Sequence, residues 1–417
     1  MNNFKVSFLF GAIVSILIFS MTSCEEETPI FNELPPDISE LTSMQLTQLM
    51  GAGWNLGNTL DSHWNEAASW ITNPTVNEIE RLWGNPTTTK AMIYKVKEAG
   101  FNTIRVPVTW YIFTGPAPNY TINTAWMNRV QQVVDYVINN GMFCILNVHH
   151  EDYVVIKENG SGVNGWLRLH QSGTTALTTS EKQTMNDRFK EIWEQIAERF
   201  KDYNEYLIFE GLNEPHSSGF THNAAVWQEQ YSVLNNLNQI FVDTVRAGGG
   251  KNPVRHLMVT PYFASIELHD GLNVFNLFVD TAANKLRIND PANRLIVSLH
   301  YYEPYYFAMF KSGSDSQITY NPNDGHVSYN RGRVLNVLND FISRGIPVIM
   351  GETGAIDKNN EAERVKWAND YVKAVRSAGV PVIIWDDGGD FKLFNRETLN
   401  WHFPNLKNAF VNAATPR

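Results

Sequence analysis

Two glutamates, Glu214 and Glu352, are the residues of this sequence best placed for paired acid–base chemistry. Each follows a short apolar run, residues 206–212 and 347–350, of the length and composition of a buried strand. Two carboxyl groups can share such work when one keeps a proton near neutral pH and the other stays ionised. One then protonates a leaving oxygen while the other attacks or stabilises the neighbouring carbon.

Other polar side chains lie at or just beyond the ends of further predicted strands. Arg105 would supply a cation and Tyr302 a hydroxyl donor, and both would help an adjacent carboxylate to stay ionised. Any one of them could be only a capped strand end or a solvated loop residue, but their convergence favours a functional site. The set comprises Arg105, His149, His150, Glu151, Asn213, Glu214, His300, Tyr302, Glu352, Trp385 and Asp386.

The elements that must position these residues alternate along the chain. Apolar, β-branched runs predict strands at 53–56, 103–108, 143–148, 206–212, 256–260, 295–299, 347–350 and 381–384. Amphipathic segments predict helices at 88–99, 125–139, 181–199, 224–246 and 361–377, with a weak, loop-rich pattern between strands five and six. Gly100, Gly141, Gly345 and Gly379 fit helix C-termini. The pattern predicts an α/β fold, a (β/α)8 TIM barrel, whose active site lies at the carboxyl ends of the strands.

Composition restricts the ligand. The chain has 33 Lys and Arg against 43 Asp and Glu, a formal net charge of −10. Because a phosphate-binding surface needs clustered cations, this balance argues against nucleic acid and suits a neutral substrate. The 12 Trp and 16 Tyr fit either a large core or a sugar-stacking cleft. We expect a monomer without cofactor or metal.

The N-terminus has the pattern of a targeting segment. Lys5 precedes an apolar run at 8–21, which is too short to span a bilayer and suits a secretory signal. Small residues then precede Cys24, as in a bacterial lipobox, and an acidic run follows it, similar to the surface-export signals of Bacteroidetes lipoproteins. We predict a lipoprotein signal peptide at 1–23, lipidation of Cys24, a flexible acidic linker at 24–43 and one catalytic domain at 44–417. The protein would then be secreted and lipid-anchored to the bacterial outer membrane, at the cell surface.

Cys144 lies in an apolar run and is predicted to be buried and inert.

Several of these motifs, in this order, resemble glycoside hydrolase family 5. The segment from Phe209 to Pro215 (FEGLNEP) is similar to the acid/base motif of its clan, clan A. The segment from Gly53 to Asp61 (GWNLGNTLD) resembles the first-strand signature of the endo-β-1,4-glucanases and xyloglucanases of subfamily 4. The pattern continues with WGNP from Trp83, RVPVTW from Arg105, HHE from His149, HYY from His300, IMGE from Ile349, WD from Trp385 and LFNR from Leu393.

This resemblance implies a role for each candidate residue. Glu214 would be the acid/base and Glu352 the nucleophile of a retaining endo-β-1,4-glucanase acting on plant β-glucans such as xyloglucan, mixed-linkage glucan or soluble cellulose. Arg105 and Tyr302 would support the nucleophile, and Asn213 would bind the 2-hydroxyl of the attacked sugar. The same sugar would contact His149 and His300 and lie on Trp385, and the next sugar on the non-reducing side would contact His150, Asn58 and Asp61. Glu210 is interpreted as a structural carboxylate able to bind Arg105.

The chain departs from the family pattern at a few places. His216 stands where an arginine often follows the Glu-Pro pair, and Asp387 stands where asparagine is frequent. The end of strand five, residues 260–262, is only loosely similar. These departures concern the outer subsites and the substrate, and leave the catalytic set intact.

Three alternatives stay open from the sequence. A β-mannanase of the same family would have to accept an axial 2-hydroxyl. A metal-dependent barrel hydrolase could use the histidines and glutamates as ligands. A non-catalytic glycan-binding lipoprotein could keep the barrel without activity. Residues 153–173 and 305–329 form long loops, in which Trp166 and Tyr306 are candidates for sugar stacking or for loop packing.

Overall fold

The computed structural model describes residues 38–63, 73–151, 154–156, 162–171, 176–216, 223–265 and 274–415. The predicted signal peptide, Cys24 and most of the predicted linker lie outside these residues, so those assignments stay predictions.

Eight parallel strands close into a barrel in chain order, which confirms the predicted (β/α)8 architecture. The barrel strands are β1 (Ala52–Asn55), β2 (Thr103–Val106), β3 (Phe143–Asn147), β4 (Leu207–Glu210), β5 (Leu257–Val259), β6 (Leu295–His300), β7 (Val348–Thr353) and β8 (Val382–Ile384). A register irregularity after Leu299 pairs His300 with Glu352. This irregularity brings two candidate site residues together at the rim.

Helices cover the outside of the barrel. Their bounds are Ser43–Leu49, Val76–Glu80, Lys90–Glu98, Thr124–Ile138, Thr179–Arg199, Ala224–Ala247, Val274–Phe278, Tyr305–Ala308, Gly325–Ser343, Glu361–Trp367, Lys373–Ser377 and Pro404–Ala414. The helix predicted at 361–377 is interrupted by a π-helical segment, Ala368–Val372. Between β5 and β6, the only α-helix in the described part of the chain is the short Val274–Phe278, in keeping with the weak helical pattern there.

Short elements complete the loops. There are 3-10 turns at Tyr111–Phe113, Asn252–Val254 and Tyr262–Ala264. Two-stranded sheets pair Val154–Ile156 with Gly162–Asn164, Val279–Asp280 with Lys285–Leu286, and Phe394–Asn395 with Asn400–Trp401.

The bottom of the barrel is closed by the chain that precedes β1. Thr42 caps the helix Ser43–Leu49 through a capping box with Gln45. Ile38 is 3% exposed and packs in one cluster with residues of that helix and apolar side chains of the barrel interior. The packed domain therefore begins before residue 44, and residues 38–42 are part of it rather than of a flexible linker.

The barrel interior changes character from bottom to top. In the lower layer, alternate strand positions contribute apolar side chains such as Ile145, Ile208 and Ile349. The next inward-pointing positions along the strands are polar, because side chains that alternate along a strand share one face. This upper layer is fully buried and consists of Asn55, Arg105, Asn147, Glu210 and Ser298. It forms a hydrogen-bonded floor directly below the candidate site.

The four glycines predicted at helix C-termini all have left-handed backbones. Their φ angles are 99° at Gly100, 64° at Gly141, 73° at Gly345 and 82° at Gly379. Glycine adopts this region without the steric penalty of a Cβ atom, so these residues end the helices and turn the chain toward the next strand.

Among the described residues, no helix combines the length and the apolar character that crossing a membrane requires.

Candidate active site

Glu352 lies near the end of β7 and is held by two donors. The Arg105 Nη1 atom lies 2.6 Å from Glu352 Oε1, and the Tyr302 hydroxyl donates to Glu352 Oε2 at 2.8 Å. Glu352 is 6% exposed. Both oxygens of this carboxylate are thus held by hydrogen-bond donors, one of them cationic, which fixes the orientation that a nucleophile needs.

Arg105 organises the polar layer around this carboxylate. Its guanidinium also donates to Glu210 Oε2 at 2.7 Å, Asn55 Oδ1 at 3.1 Å and Asn213 Oδ1 at 2.8 Å. The two carboxylates outweigh the desolvation of this fully buried side chain, so the pKa of Arg105 is raised and its charge is fixed. The interpretation of Glu210 as a structural carboxylate bound to Arg105 is confirmed. Glu210 also accepts from Ser298 Oγ at 2.5 Å.

Glu214 has a different environment beyond the end of β4. Its side chain is 27% exposed, and its Oε1 atom lies 2.8 Å from His300 Nδ1. The same His300 nitrogen lies 3.6 Å from Glu352 Oε2. Ligand-type atoms of Glu214, His300 and Glu352 all lie within 4.8 Å of one another. The carboxylates are thus adjacent, one fixed by a cation and one exposed next to an imidazole.

Trp385 and His149 form one side of the site. Their rings are parallel, at an angle of 1°, with centroids 6.0 Å apart. A Cβ atom on Gly57 would come within 2.7 Å of the Trp385 ring, so only glycine at this position leaves room for the indole. Asn147 Nδ2 donates to His149 Nδ1 at 2.9 Å, which places the proton of neutral His149 on Nε2. Burial lowers the pKa of both His149 and His150 well below the usual value, so both rings stay neutral.

Asp61 lies beside the site histidines but is shut off from a ligand. The sequence predicted that it would contact a sugar, but it is 0% exposed. Its carboxylate oxygens accept from the Asn58 backbone N–H at 3.0 Å and the Thr59 backbone N–H at 2.6 Å. Asn58 has a left-handed φ of 53°, and Asp61 holds this turn in place. Asp61 therefore acts on the site through the backbone of Asn58, and the prediction of direct contact is corrected.

Several buried residues that the prediction did not include join the loops after β1 and β8. Trp54 Nε1 donates to Asp386 Oδ2 at 2.9 Å, and Arg396 donates to the Gly57 carbonyl oxygen at 2.8 Å and the Asp386 carbonyl oxygen at 2.5 Å. Asn85 Nδ2 donates to the Asn58 carbonyl oxygen at 2.9 Å. The sequence signal for these residues lay in the motifs that begin at Trp83 and Leu393. Each motif contains a polar side chain that binds neither Glu214 nor Glu352 and instead holds the loops in place.

Trp166 packs within its loop, and Tyr306 projects outward. The Trp166 indole N–H donates to Glu151, and its ring lies 5.2 Å from the guanidinium of Arg188. These contacts favour loop packing for Trp166. Tyr306 is 40% exposed and its ring contacts Phe310 edge-on, so it remains available to a ligand.

The donor atoms of the site suit a sugar better than a cation. Potential ligand atoms of Asp61, His149 and His150 lie within 4.8 Å of one another, as do those of Glu214, His300 and Glu352. In the second group, the Arg105 guanidinium lies 2.6 Å from Glu352 and already supplies the positive charge that a metal ion would bring. In the first group, backbone N–H groups occupy both oxygens of Asp61. A metal ion would have to displace these donors.

The chain is similar to known proteins both in sequence and in structure. The chain is 38% identical over 385 residues to endoglucanase B of Neocallimastix patriciarum, covering 90% of this chain and 72% of that protein. Among solved structures, a GH5-4 broad specificity endoglucanase from Ruminococcus champanellensis with bound cellotriose is 43% identical, with a TM-score of 0.76, over 89% of this chain and 98% of that chain. A family 5 lichenase mutant from Caldicellulosiruptor sp. F32 in complex with cellotetraose is 35% identical, with a TM-score of 0.77, over 90% and 96%. Residues 61–390 match the family described as Cellulase (glycosyl hydrolase family 5), and the chain therefore belongs to glycosyl hydrolase family 5.

Proposed function

We propose that this hydrolase cleaves internal bonds of β-1,4-linked glucan chains with retention of configuration, using Glu214 as acid/base and Glu352 as nucleophile. One observation supports the proposal most strongly: the two carboxylates are adjacent, and only Glu352 is bound by Arg105 and Tyr302. Retaining enzymes need two carboxyl groups about 5–5.5 Å apart, because the nucleophile must reach the anomeric carbon while the acid reaches the leaving oxygen.

In the first step, Glu352 attacks the anomeric carbon and forms a glycosyl ester. Glu214 gives its proton to the glycosidic oxygen, and the chain on the leaving side departs as an alcohol. The Arg105 guanidinium and the Tyr302 phenol hold the Glu352 carboxylate in position before the attack. Burial and the nearby Glu352 carboxylate raise the pKa of Tyr302 well above its usual value, so the phenol keeps its proton and continues to donate.

In the second step, water hydrolyses the ester. Glu214, now ionised, takes a proton from that water, and the oxygen attacks the anomeric carbon from the face that the leaving group vacated. The greater exposure of Glu214, 27% against 7% for the Glu352 side chain, suits a group that must meet water. Two displacements on one carbon restore the starting configuration.

The substrate that we propose is a soluble or hydrated β-1,4-linked glucan such as xyloglucan or mixed-linkage glucan. The similar structures named above include a broad specificity endoglucanase with cellotriose and a lichenase with cellotetraose. The Trp385 indole, which lies parallel to the His149 ring, offers a flat apolar surface to the axial C–H face of a glucosyl unit.

The test of this proposal is reducing-sugar release from xyloglucan, mixed-linkage glucan, carboxymethylcellulose, xylan and mannan, with the products sized by chromatography. Early appearance of mid-sized oligosaccharides from a β-glucan is expected, because internal cleavage shortens chains before it releases small sugars. Faster turnover of mannan than of every glucan would support a β-mannanase instead, and release of monosaccharide alone would contradict internal cleavage. Binding without any release would indicate a glycan-binding protein. Loss of activity in excess EDTA would indicate a metal-dependent hydrolase.

We also propose that the enzyme acts as a monomer at the outer surface of the bacterial outer membrane, attached only by lipid on Cys24. The apolar run at 8–21, the lipobox-like residues before Cys24 and the acidic run after it support this location.

A further inference from the structure

Phe263, just beyond β5, has a backbone conformation that is unusual for a large side chain. Its φ is 57° and its ψ is 21°, and the following Ala264 has a φ of 48°. Bulky residues rarely occupy this left-handed region, and such residues cluster at functional sites. The conformation is held by the Phe263 backbone N–H, which donates to the Pro215 carbonyl oxygen at 3.0 Å. The result is an aromatic side chain that is 37% exposed at the rim of the barrel.

His216 connects this ring to the acid/base residue. Its Nδ1 atom donates to the carbonyl oxygen of Glu214 at 2.6 Å, and its ring centroid lies 4.5 Å from that of Phe263. His216 is one of the positions where the sequence departs from the family pattern, and Phe263 directly follows the loosely similar residues 260–262.

The closed barrel fixes where this pair stands relative to a bound sugar chain. In a ring of eight strands, β4 and β5 lie across the barrel mouth from β8 and β1. Trp385 follows β8, and Glu214 and Phe263 follow β4 and β5. A sugar seated on Trp385 and attacked by Glu352 thus sends its leaving group toward Glu214, and beyond Glu214 toward the two rings.

From this geometry we propose that Phe263, backed by His216, is the platform for the first sugar of the leaving group. The inference rests on the proposed function, because it takes Glu214 as the group that protonates the leaving oxygen. The ring face would contact the apolar face of a glucosyl unit. This contact would speed cleavage and transfer to an acceptor sugar, because both place a sugar on the ring. It would leave the rate of attack by water unchanged.

The test compares two donors that form the same glycosyl-enzyme but differ in the leaving group. Cellotetraose leaves a sugar on the platform, whereas β-cellobiosyl fluoride leaves only fluoride. Phe263→Gly removes the ring and tolerates the left-handed backbone, so the fold is kept. We expect kcat/KM for cellotetraose to fall about fivefold, in line with one aromatic contact. This loss should be at least three times the loss on cellobiosyl fluoride. Phe263→Trp keeps an aromatic ring and should keep the native ratio of kcat/KM between the two donors.

A second readout is the partition between transfer and hydrolysis. With cellobiosyl fluoride as donor and added cellobiose as acceptor, Phe263→Gly should lower the yield of transfer product relative to hydrolysis. Tyr329→Ala is the matched control, since Tyr329 is 65% exposed on the outer helix Gly325–Ser343 and should change neither ratio. Equal losses on both donors, or an unchanged partition, would overturn the platform alone. A native enzyme inactive on both donors would overturn the proposed function and the platform with it.

Discussion

At the scale of single residues, two glutamates of the same chemistry are given different surroundings. Glu352 is nearly buried and receives hydrogen bonds from Arg105 and Tyr302, while Glu214 is partly exposed and shares a hydrogen bond with His300. Arg105 in turn is fixed by Glu210 below it. The difference in environment, rather than the identity of the two side chains, is what assigns their roles.

Replacing the two glutamates separates these roles. Glu352→Gln should lower kcat on a β-glucan by roughly 10⁴-fold or more, as for catalytic groups that act within a unit. Glu214→Gln should lose much less on an aryl β-cellobioside with a good leaving group than on polysaccharide, because that leaving group needs little protonation. Steady-state kinetics on both substrates measures this, with circular dichroism as the control for folding. Near-native rates of both variants on polysaccharide would show that the site is assigned wrongly.

Asp61 makes a prediction about pH and stability. Burial raises the pKa of Asp61 to about 7, against about 3.9 for an aspartate in an unfolded chain. The folded state therefore binds the proton more tightly, and this residue makes the free energy of unfolding fall as pH rises from about 4 to about 7. Asp61→Asn removes this contribution and leaves one backbone N–H without an acceptor, at about 1–3 kcal/mol. Denaturant unfolding should show a larger gap between native and variant at pH 4.5 than at pH 7. A gap that is constant with pH would contradict the prediction.

The residues that the sequence could predict are those whose position follows from one strand. Arg105 and Glu352 lie in recognisable strands, and Glu214 and Tyr302 follow two others within a few residues, so the barrel brings all four to one rim. Asp61 could not be placed correctly, because whether a loop carboxylate faces the cleft or its own turn depends on local backbone geometry. Asn147 and Ser298 were missed because their contacts depend on the register between strands.

At the scale of elements, the strand predictions agree with the structure to within three residues, because glycine caps and apolar runs are local signals. The helix predicted at 361–377 is divided by the π segment Ala368–Val372, where Tyr371 and Val372 are buried. A hydrogen-bond change of this kind follows from packing and has no clear local signature. The short sheet pairing Phe394–Asn395 with Asn400–Trp401 was not predicted, since two-residue strands carry too little periodicity.

The glycines allow a matched test of element geometry. Gly345→Ala should lower the free energy of unfolding by about 1 kcal/mol, because φ at this position is 73° and no atom lies near the added Cβ, so only backbone strain acts. Gly332 lies inside the helix Gly325–Ser343, with open space and no left-handed φ, and Gly332→Ala should raise stability by roughly 0.5–1 kcal/mol. Urea unfolding of both variants checks the two signs. A stabilising Gly345→Ala would contradict the proposed C-cap.

At the scale of the whole molecule, the barrel is apolar at its base and polar at its mouth, and its chain enters from below. The helix Ser43–Leu49 closes the base, so the described part of the chain, which starts at residue 38, begins on the side of the barrel away from the catalytic rim.

The proposed anchor makes a prediction about cell fractionation. In a bacterial host that processes lipoproteins, the native protein should partition with the membrane, and Cys24→Ser should move it to the soluble fraction. The reason is that the acyl chains supply the membrane affinity and, in the part of the chain that the structure describes, no helix could span a bilayer. Immunoblots of the two fractions measure this, with activity confirming that both forms are folded. A native protein found wholly in the soluble fraction, with its N-terminus cut elsewhere, would remove the anchor.

The most direct test of the central claim is to trap the covalent intermediate. A 2-deoxy-2-fluoro-β-cellobioside with a good leaving group should form the ester and then hydrolyse slowly, because the fluorine destabilises the oxocarbenium-like transition states of both steps. Intact-mass spectrometry should show one added fluorocellobiosyl group, and peptide mapping should place it on Glu352. Glu352→Gln should stay unlabelled under the same conditions. Label on any other residue, or turnover without any labelled species and with inverted product configuration, would contradict the assignment.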